Sequence, residues 1–189
     1  DHGVTTGLAT KIHKQYGERS ISVVRSNPYQ LSRDIFGVGF KTADQLALKL
    51  GMDPASLERV KAYILYILEK DNEQGHVFSF AADAAARAVA DLAVDADKVE
   101  TALAVLVKGG KIVAEDEAGG RALYLPFFHQ AQEEVARSIH TLAGFPCKAP
   151  DIDLDRAVAA TEKDLGMEFS PLQRQAIRES AARHHIEIA

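Results

Sequence analysis

The sequence predicts a mainly α-helical protein with one small β-hairpin, and three observations support this fold class. Apolar residues recur at helical spacing through most of the 189 residues. A segment bounded by glycines occurs twice near the N-terminus. Two short apolar runs, 111–115 and 121–125, flank the turn-forming residues 116–120, which is typical of a hairpin.

The repeat relates residues 3–17 to residues 37–51 at a constant offset of 34. Gly-Val opens both copies and a glycine closes both. Each copy is predicted to form a tight turn, a helix of about three turns and a helix-ending glycine. Short helical pieces are also predicted at 20–25 and 31–36, so the unit is helix, Gly-x-Gly turn, helix. Two copies are too few for a solenoid and suit a pair packed on each other.

The later helices follow from capping residues and apolar spacing. Asp53 is predicted to cap a long helix that has Pro54 at its first position and ends near Gly75. Further helices are predicted at 83–92, from Asp95 or Asp97 to 108, and at 128–142, 151–165 and 171–183. Residues 144–150 have the composition of a linker, and 186–189 resemble a strand cut short, so we expect an internal piece of a longer protein.

Charge is distributed unevenly along the chain. The net charge is −5, but residues 1–51 hold seven Lys/Arg and four Asp/Glu, which gives +3 and leaves −8 for the rest. A site for a polyanion is therefore expected at the N-terminal end. Cys147 is the only cysteine, which excludes a disulfide within the chain and a thiol-rich metal site. The lone cysteine fits a reducing cytosol, and no apolar run of membrane-spanning length or signal peptide is seen, so we expect a cytoplasmic protein. The seven histidines are scattered and suit no common metal spacing, so we expect no metal site.

Residues 34–44, Asp-Ile-Phe-Gly-Val-Gly-Phe-Lys-Thr-Ala-Asp, pair a Gly-x-Gly turn with a following Lys-Thr. A nucleotide P-loop needs Gly, four residues and then Gly-Lys-Ser/Thr, and this chain contains no such run. The alternative is a phosphate of the DNA backbone, which free N–H groups at a helix N-terminus can bind when glycine permits close approach. The predicted DNA-binding residues are Gly37, Val38 (with its side chain inward), Gly39, Phe40, Lys41 and Thr42, together with Gly3 and Thr5 in the first copy.

The first copy departs from this pattern, because Thr5 stands at the second glycine and Gly7 at the lysine position. Phosphate binding by the first copy and a packing role for it both stay open. A purely structural role also stays open, in which the Gly-x-Gly turn only connects two helices tightly and binds nothing.

The stretch Gly-Val-Gly-Phe-Lys-Thr-Ala resembles the helix-hairpin-helix motif, and residues 27–47 resemble the N-terminal region of RecD-like ATP-dependent DNA helicases. Residues 77–125 are similar to the winged-helix part of that family. The resemblance implies tandem helix-hairpin-helix and winged-helix units, then helices that lead into a motor absent from this chain. The implied parent couples ATP hydrolysis, with Mg, to 5′-to-3′ movement on DNA in recombination or repair. The domains implied are 1–75, 76–126, 127–150 (connecting helix and linker) and 151–189 (start of the motor).

Residues 169–177 are similar to the glutamine motif ahead of the first motor strand in this family, and the resemblance places adenine recognition on Gln173. Spacing alone favours a capping box with Ser170, because Gln at the third helical position can bond back to the cap. The chain alone is expected to hydrolyse nothing. ATP and Mg belong to the intact parent, and the expected partners are single-stranded or forked DNA, bound without sequence preference, and the motor in cis.

Two other functions stay open from the sequence: a DNA-binding accessory protein of repair or recombination without a motor, and a protein-interaction module. The second helix of a winged-helix unit often enters the major groove. Here that helix, 96–108, has a net charge of zero, so we favour a scaffold role over base reading.

Overall fold

The computed structural model describes residues 5–144 and 153–183, and it divides into two compact units, residues 1–132 and 133–189. The fold is mainly helical with a small antiparallel sheet, as the sequence predicts. The helices are α1 Thr6–Tyr16, α2 Ser20–Ser26, α3 Leu31–Asp34, α4 Phe40–Lys49, α5 Leu57–Glu73, α6 Ala81–Leu92, α7 Ala96–Lys108, α8 Pro126–Ala143, α9 Leu154–Leu165 and α10 Pro171–Arg183. The strands are β1 Ser79–Phe80, β2 Val113–Glu117 and β3 Gly120–Tyr124.

Several predictions fall outside the described residues. These are the predictions for Gly3, for Cys147 and most of the linker at 144–150, for Asp151 as a helix start, and for the strand at 186–189. The helix predicted from 151 begins at Leu154, because the Asp153 side chain caps it by accepting a hydrogen bond from the Arg156 N–H at 3.1 Å.

The predicted repeat is visible in the backbone. Helices α1 and α4 begin at Thr6 and Phe40, and a glycine with positive φ follows each, at 55° for Gly17 and 81° for Gly51. Such a left-handed residue is a common way to end a helix, because it turns the chain away from the helix axis. The helical piece predicted at 31–36 ends earlier, at Asp34.

A small hydrophobic core joins the two copies of the repeat. It is built from buried Ile12 of α1, Leu31 at the start of α3, Ile35 just after α3, Val38 of the turn and Leu46 of α4. Ile35 has extended backbone angles, φ −123° and ψ 111°, which is why α3 stops before it. The two copies therefore pack as a pair.

Helix α5 begins later than predicted. The Asp53 carboxylate accepts from the Ala55 N–H at 2.9 Å and closes a turn that contains Pro54. Ser56 is the actual N-cap, since its Oγ accepts from the Arg59 N–H at 3.4 Å. The prediction that Asp53 caps the helix is wrong, because its side chain is used in the preceding turn.

A larger core continues from the repeat into the residues that follow it. Buried Val60, Ile64, Ile67 and Leu68 of α5 belong to one cluster with apolar residues of α4, α6, α7 and β3. After α5, the order β1, α6, α7, β2, β3 matches the helix, helix, hairpin order predicted for the winged-helix unit at residues 76–126. One core thus crosses the predicted boundary at residues 75 and 76.

The sheet has the strand order β1-β3-β2, with both pairings antiparallel. Strands β2 and β3 form a hairpin in which Glu117 pairs with Gly120, so Ala118 and Gly119 make the turn. A Cβ on Gly119 would lie 2.7 Å from the Phe80 ring, so only glycine fits here without a shift of that ring. The hairpin confirms the predicted element, with β2 displaced by two residues from its predicted bounds.

The second unit contains α9 and α10, which ion pairs hold together. Arg174 forms a forked pair with Glu162, with Nε–Oε1 and Nη2–Oε2 distances of 3.0 Å each. Arg178 reaches Asp155 at 2.8 Å through its Nε. Across the described part of the chain, every helix is too short or too polar to cross a membrane.

Candidate nucleic-acid interface

The turn between α3 and α4 is held from both sides. Val38 is 5% exposed and packs in the small core, whereas Phe40 is 7% exposed and packs in the large one. Gly39 lies between them in extended conformation and is exposed. Both flanking side chains are buried, one in each core, and this leaves the backbone of Gly39 exposed between them.

Aromatic packing fixes the Phe40 side of this turn. The Phe40 ring lies 5.9 Å from the ring of Tyr29 and 5.3 Å from the rings of Tyr63 and Tyr66. These separations lie in the range of favourable aromatic pairs. Phe40 was predicted to contact DNA, and its buried ring leaves only its main chain for that contact.

The start of α4 leaves peptide N–H groups open. Gly39 is the N-cap and has no side chain to bond them. The Val38 N–H donates to the Ile35 carbonyl at 3.1 Å, and the Thr42 N–H donates to the Gly39 carbonyl at 3.1 Å, so these two predicted donors are engaged. Among residues 38–42, the N–H groups for which the structure shows no hydrogen bond are those of Gly39, Phe40 and Lys41.

In the first copy of the repeat, a side chain caps the helix N-terminus at the equivalent position. Thr5 is the N-cap of α1, and its Oγ1 accepts from the Leu8 N–H at 3.3 Å. A hydroxyl that caps its own helix occupies the place an incoming phosphate would take. The equivalent residue of the second copy, Gly39, offers no such oxygen, which is the chief chemical difference between the two copies.

The turn of the second copy needs glycine for conformational reasons at one position. Gly37 has a φ of 81°, in the left-handed region that other residues avoid. Gly39 has a φ of −90°, which any residue adopts, and a Cβ on Gly39 would meet nothing within 4 Å. The first glycine thus shapes the turn, and the second leaves open space in front of the free N–H groups.

Lys11 joins this turn from the first copy of the repeat. Its Nζ donates to the Phe36 carbonyl at 3.2 Å. Lys11 and Lys49 line a cleft of about 390 Å³ together with Thr5, Gly37 and Thr42. Sequence reasoning missed Lys11, since nothing in its local pattern marks it. Only the packing of the two copies brings it to the second turn.

The carboxylate of Asp34 is engaged beside the turn. It accepts from the Tyr16 hydroxyl at 2.8 Å and from the Gln30 amide at 2.9 Å. These hydrogen bonds, that of Gln30 first, lower the pKa of Asp34. Burial, together with the hydrogen bond to Asp34, raises the pKa of Tyr16 to about 12. Asp34 therefore stays ionised at neutral pH.

The other carboxylate of the motif, Asp44, is bound by Arg59 of α5. The guanidinium makes a forked pair with Nε–Oδ1 at 2.8 Å and Nη2–Oδ2 at 3.0 Å, and the Tyr29 hydroxyl donates to Oδ1 at 2.8 Å. The Asp44 hydrogen bond is the main cause that raises the pKa of Arg59. The pair fixes α4 to α5 and neutralises Asp44.

The remaining charged side chains of the turn are positive. Arg33 and Lys41 are exposed, and neither forms an ion pair with any residue that the structure describes. Open N–H groups and unpaired cations on one exposed turn suit an anion, because both attract negative charge.

Gln173 lies elsewhere, at the start of α10, and forms the capping box. Its Oε1 accepts from the Ser170 N–H at 2.8 Å, and its own N–H donates to the Ser170 Oγ at 3.2 Å. Adenine recognition by Gln173 stays a prediction. The amide oxygen has a second lone pair that could accept from an adenine while the Ser170 hydrogen bond is kept.

The paired helices, the glycine turn and its open N–H groups define residues 5–73 as a helix-hairpin-helix module. The comparison with known families agrees with this class. Residues 1–78 match the family model described as the ATP-dependent RecD2 DNA helicase HHH domain. Residues 1–78 are therefore similar to the helix-hairpin-helix domains of RecD2 helicases, and the predicted resemblance to the N-terminal region of RecD-like helicases is confirmed. A helicase-associated domain of this kind indicates DNA binding.

Proposed function

We propose that this chain binds DNA through the second glycine turn, as the N-terminal region of an ATP-dependent 5′-to-3′ DNA helicase of recombination or repair. One observation carries the proposal: the N-terminus of α4 presents the free N–H groups of Gly39, Phe40 and Lys41 on a turn fixed between two cores. The match of residues 1–78 to the RecD2 helix-hairpin-helix domain supports it.

The contact is made to the phosphate backbone. Main-chain N–H groups bind phosphate oxygens without reading bases, so binding is independent of sequence. Lys41 carries the last of the open N–H groups, and its ammonium supplies charge attraction to the same or the next phosphate. Lys11 holds the Phe36 carbonyl and adds positive charge beside Gly37. The closed cap at Thr5 makes the first copy mainly a packing partner for the second.

ATP and Mg bind to the motor of the intact parent protein, which acts in cis with this chain. The parent works in the cytoplasm. Gln173 would contact adenine there. The present residues guide or grip a single-stranded or forked DNA while that motor moves it, and they perform no hydrolysis. The predicted winged-helix unit supports the turn through α5. Arg59 of α5 pairs with Asp44 of α4, and the apolar side of α5 shares a core with α7.

A salt titration with a charge-reversal pair tests the proposal. Fluorescence anisotropy of a labelled oligothymidylate is measured with the 189-residue chain, with Lys41→Glu and with Lys163→Glu. Lys163 is exposed on α9 in the second unit, so its reversal makes the same charge change away from the turn. We expect the logarithm of affinity to fall against the logarithm of salt concentration with a slope of about −2 to −3.

Lys41→Glu should weaken binding on every DNA sequence and flatten this slope, whereas Lys163→Glu should change little. Equal affinities for wild type and Lys41→Glu would show that the phosphate contact lies elsewhere. Absence of salt-dependent binding to single-stranded and forked DNA would instead favour a protein-interaction role for the turns.

A further inference from the structure

The side chain of Phe36, directly before the glycine turn, is fully exposed. Its relative exposure is 100%, while its neighbour Ile35 is 7% exposed. Single exposed apolar residues are common on proteins, and they have no meaning without a second feature. Here the second feature is the position of the ring, on the same short turn that carries the open N–H groups.

The backbone beneath Phe36 is fixed on both sides. The Ile35 N–H donates to the Leu31 carbonyl at 3.0 Å, and the Val38 N–H donates to the Ile35 carbonyl at 3.1 Å. The Phe36 carbonyl itself accepts from Lys11 at 3.2 Å. The ring is therefore displayed from a rigid peptide, and little entropy is lost from the backbone when it makes a contact.

Phe36 shares a shallow depression with Arg33 and the backbone of Gly37 to Gly39. Asp34 also lines this depression, but its carboxylate is engaged by Tyr16 and Gln30. An aromatic face, a cation without an ion-pair partner among the described residues and open N–H groups thus lie on one patch. That combination matches a nucleotide, which has a flat base and a phosphate.

We propose that Phe36 stacks on an unpaired base of the strand whose phosphate the glycine turn holds. This inference rests on the proposed function and deepens it by adding a contact to a base. A base inside a duplex is covered on both faces by its neighbours, so only an unpaired or terminal base offers a free face. Every base has such a face, and stacking therefore adds affinity without sequence preference.

Two probes of equal length separate stacking from phosphate contact: an oligothymidylate, and an abasic oligomer with the same phosphates and no bases. Phe36→Ala should bind the oligothymidylate about tenfold more weakly, a difference of about 1.4 kcal/mol, and bind the abasic oligomer as wild type does. Phe36→Trp should restore the affinity. Ile21→Ala is the matched control, because Ile21 of α2 is an apolar side chain that is 69% exposed.

The outcomes distinguish this inference from the proposed function. If Phe36→Ala binds both probes as wild type does, or loses equally on both, base stacking is refuted. If Lys41→Glu weakens both probes in that same experiment, the phosphate contact stands without the stacking. If wild type binds neither probe, both proposals fail. Circular dichroism should show unchanged helix content for Phe36→Ala, since its ring is fully exposed and the substitution opens no cavity.

Discussion

The two glycines of the turn should have separable roles, and substituting each by alanine tests this. Gly37→Ala places a Cβ at a φ of 81°, where the left-handed conformation costs roughly 1–2 kcal/mol. The loss of chain entropy in the unfolded state offsets about 0.4–1 kcal/mol of this. The added Cβ would lie 3.3 Å from the Lys11 Nζ, the mobile end of a side chain that can move aside. The expected net loss of stability is about 1 kcal/mol.

Gly39→Ala should behave in the opposite way. Its φ of −90° suits alanine, and the new Cβ meets nothing within 4 Å, so stability should change by less than about 0.5 kcal/mol. The methyl group would stand in front of the open N–H groups and keep a phosphate from approaching. Losing one charge-assisted hydrogen bond weakens binding about tenfold or more.

Urea unfolding followed by tyrosine fluorescence measures the stability of the first unit alone. All five tyrosines lie in residues 1–132, and the chain contains no tryptophan. Anisotropy with an oligothymidylate measures the affinity. The reasoning is refuted if Gly37→Ala is as stable as wild type, or if Gly39→Ala binds DNA with unchanged affinity.

Three further substitutions test the supports of the turn. Arg59→Leu should destabilise the first unit by about 3 kcal/mol in urea unfolding, because it leaves the Asp44 carboxylate, whose side chain is 13% exposed, without its cation. A cost near zero would mean that the pair is well solvated. Phe40→Ala should cost about 3–5 kcal/mol through the lost aromatic contacts, measured in the same way. A stable Phe40→Ala variant would contradict the buried position of this ring. The folded state holds the Tyr16 proton more tightly than the unfolded state does. The contribution of Tyr16 to the free energy of unfolding should therefore be complete below pH 10 and be lost as pH rises toward about 12. Tyr16→Phe should make that fall shallower in urea unfolding at stepped pH, and an identical pH profile would count against the hydrogen bond to Asp34.

Local patterns predicted the elements of this protein well. The 34-residue offset predicted the matched start of α1 and α4, since equal sequence produces equal turns and helices. The inward position of Val38 followed from its place between two glycines that allow a sharp bend. Helix starts were less certain: Asp53 and Ser56 both carry capping side chains, and the turn at Pro54 decided between them.

The candidate site was predicted only in part. The motif pointed to the turn, but it could not show which N–H groups were already engaged, because the bonds of Val38 and Thr42 depend on the folded path of the chain. It gave no reason to expect Lys11, which reaches Phe36 only when the two copies pack together. It also gave no sign that Phe36 would be fully exposed, since an apolar residue before a turn is as readily buried.

The sequence by itself determined the repeat, the glycine turn, the helical class and the positive N-terminal end, because these depend on neighbouring residues and on counted charges. Only the tertiary structure decided that α5 shares one core with α4 and with α6, α7 and β3, and that Arg59 neutralises Asp44. The physical reason is distance along the chain: residues far apart in sequence meet by packing, and packing alone selects which donors, charges and rings remain exposed.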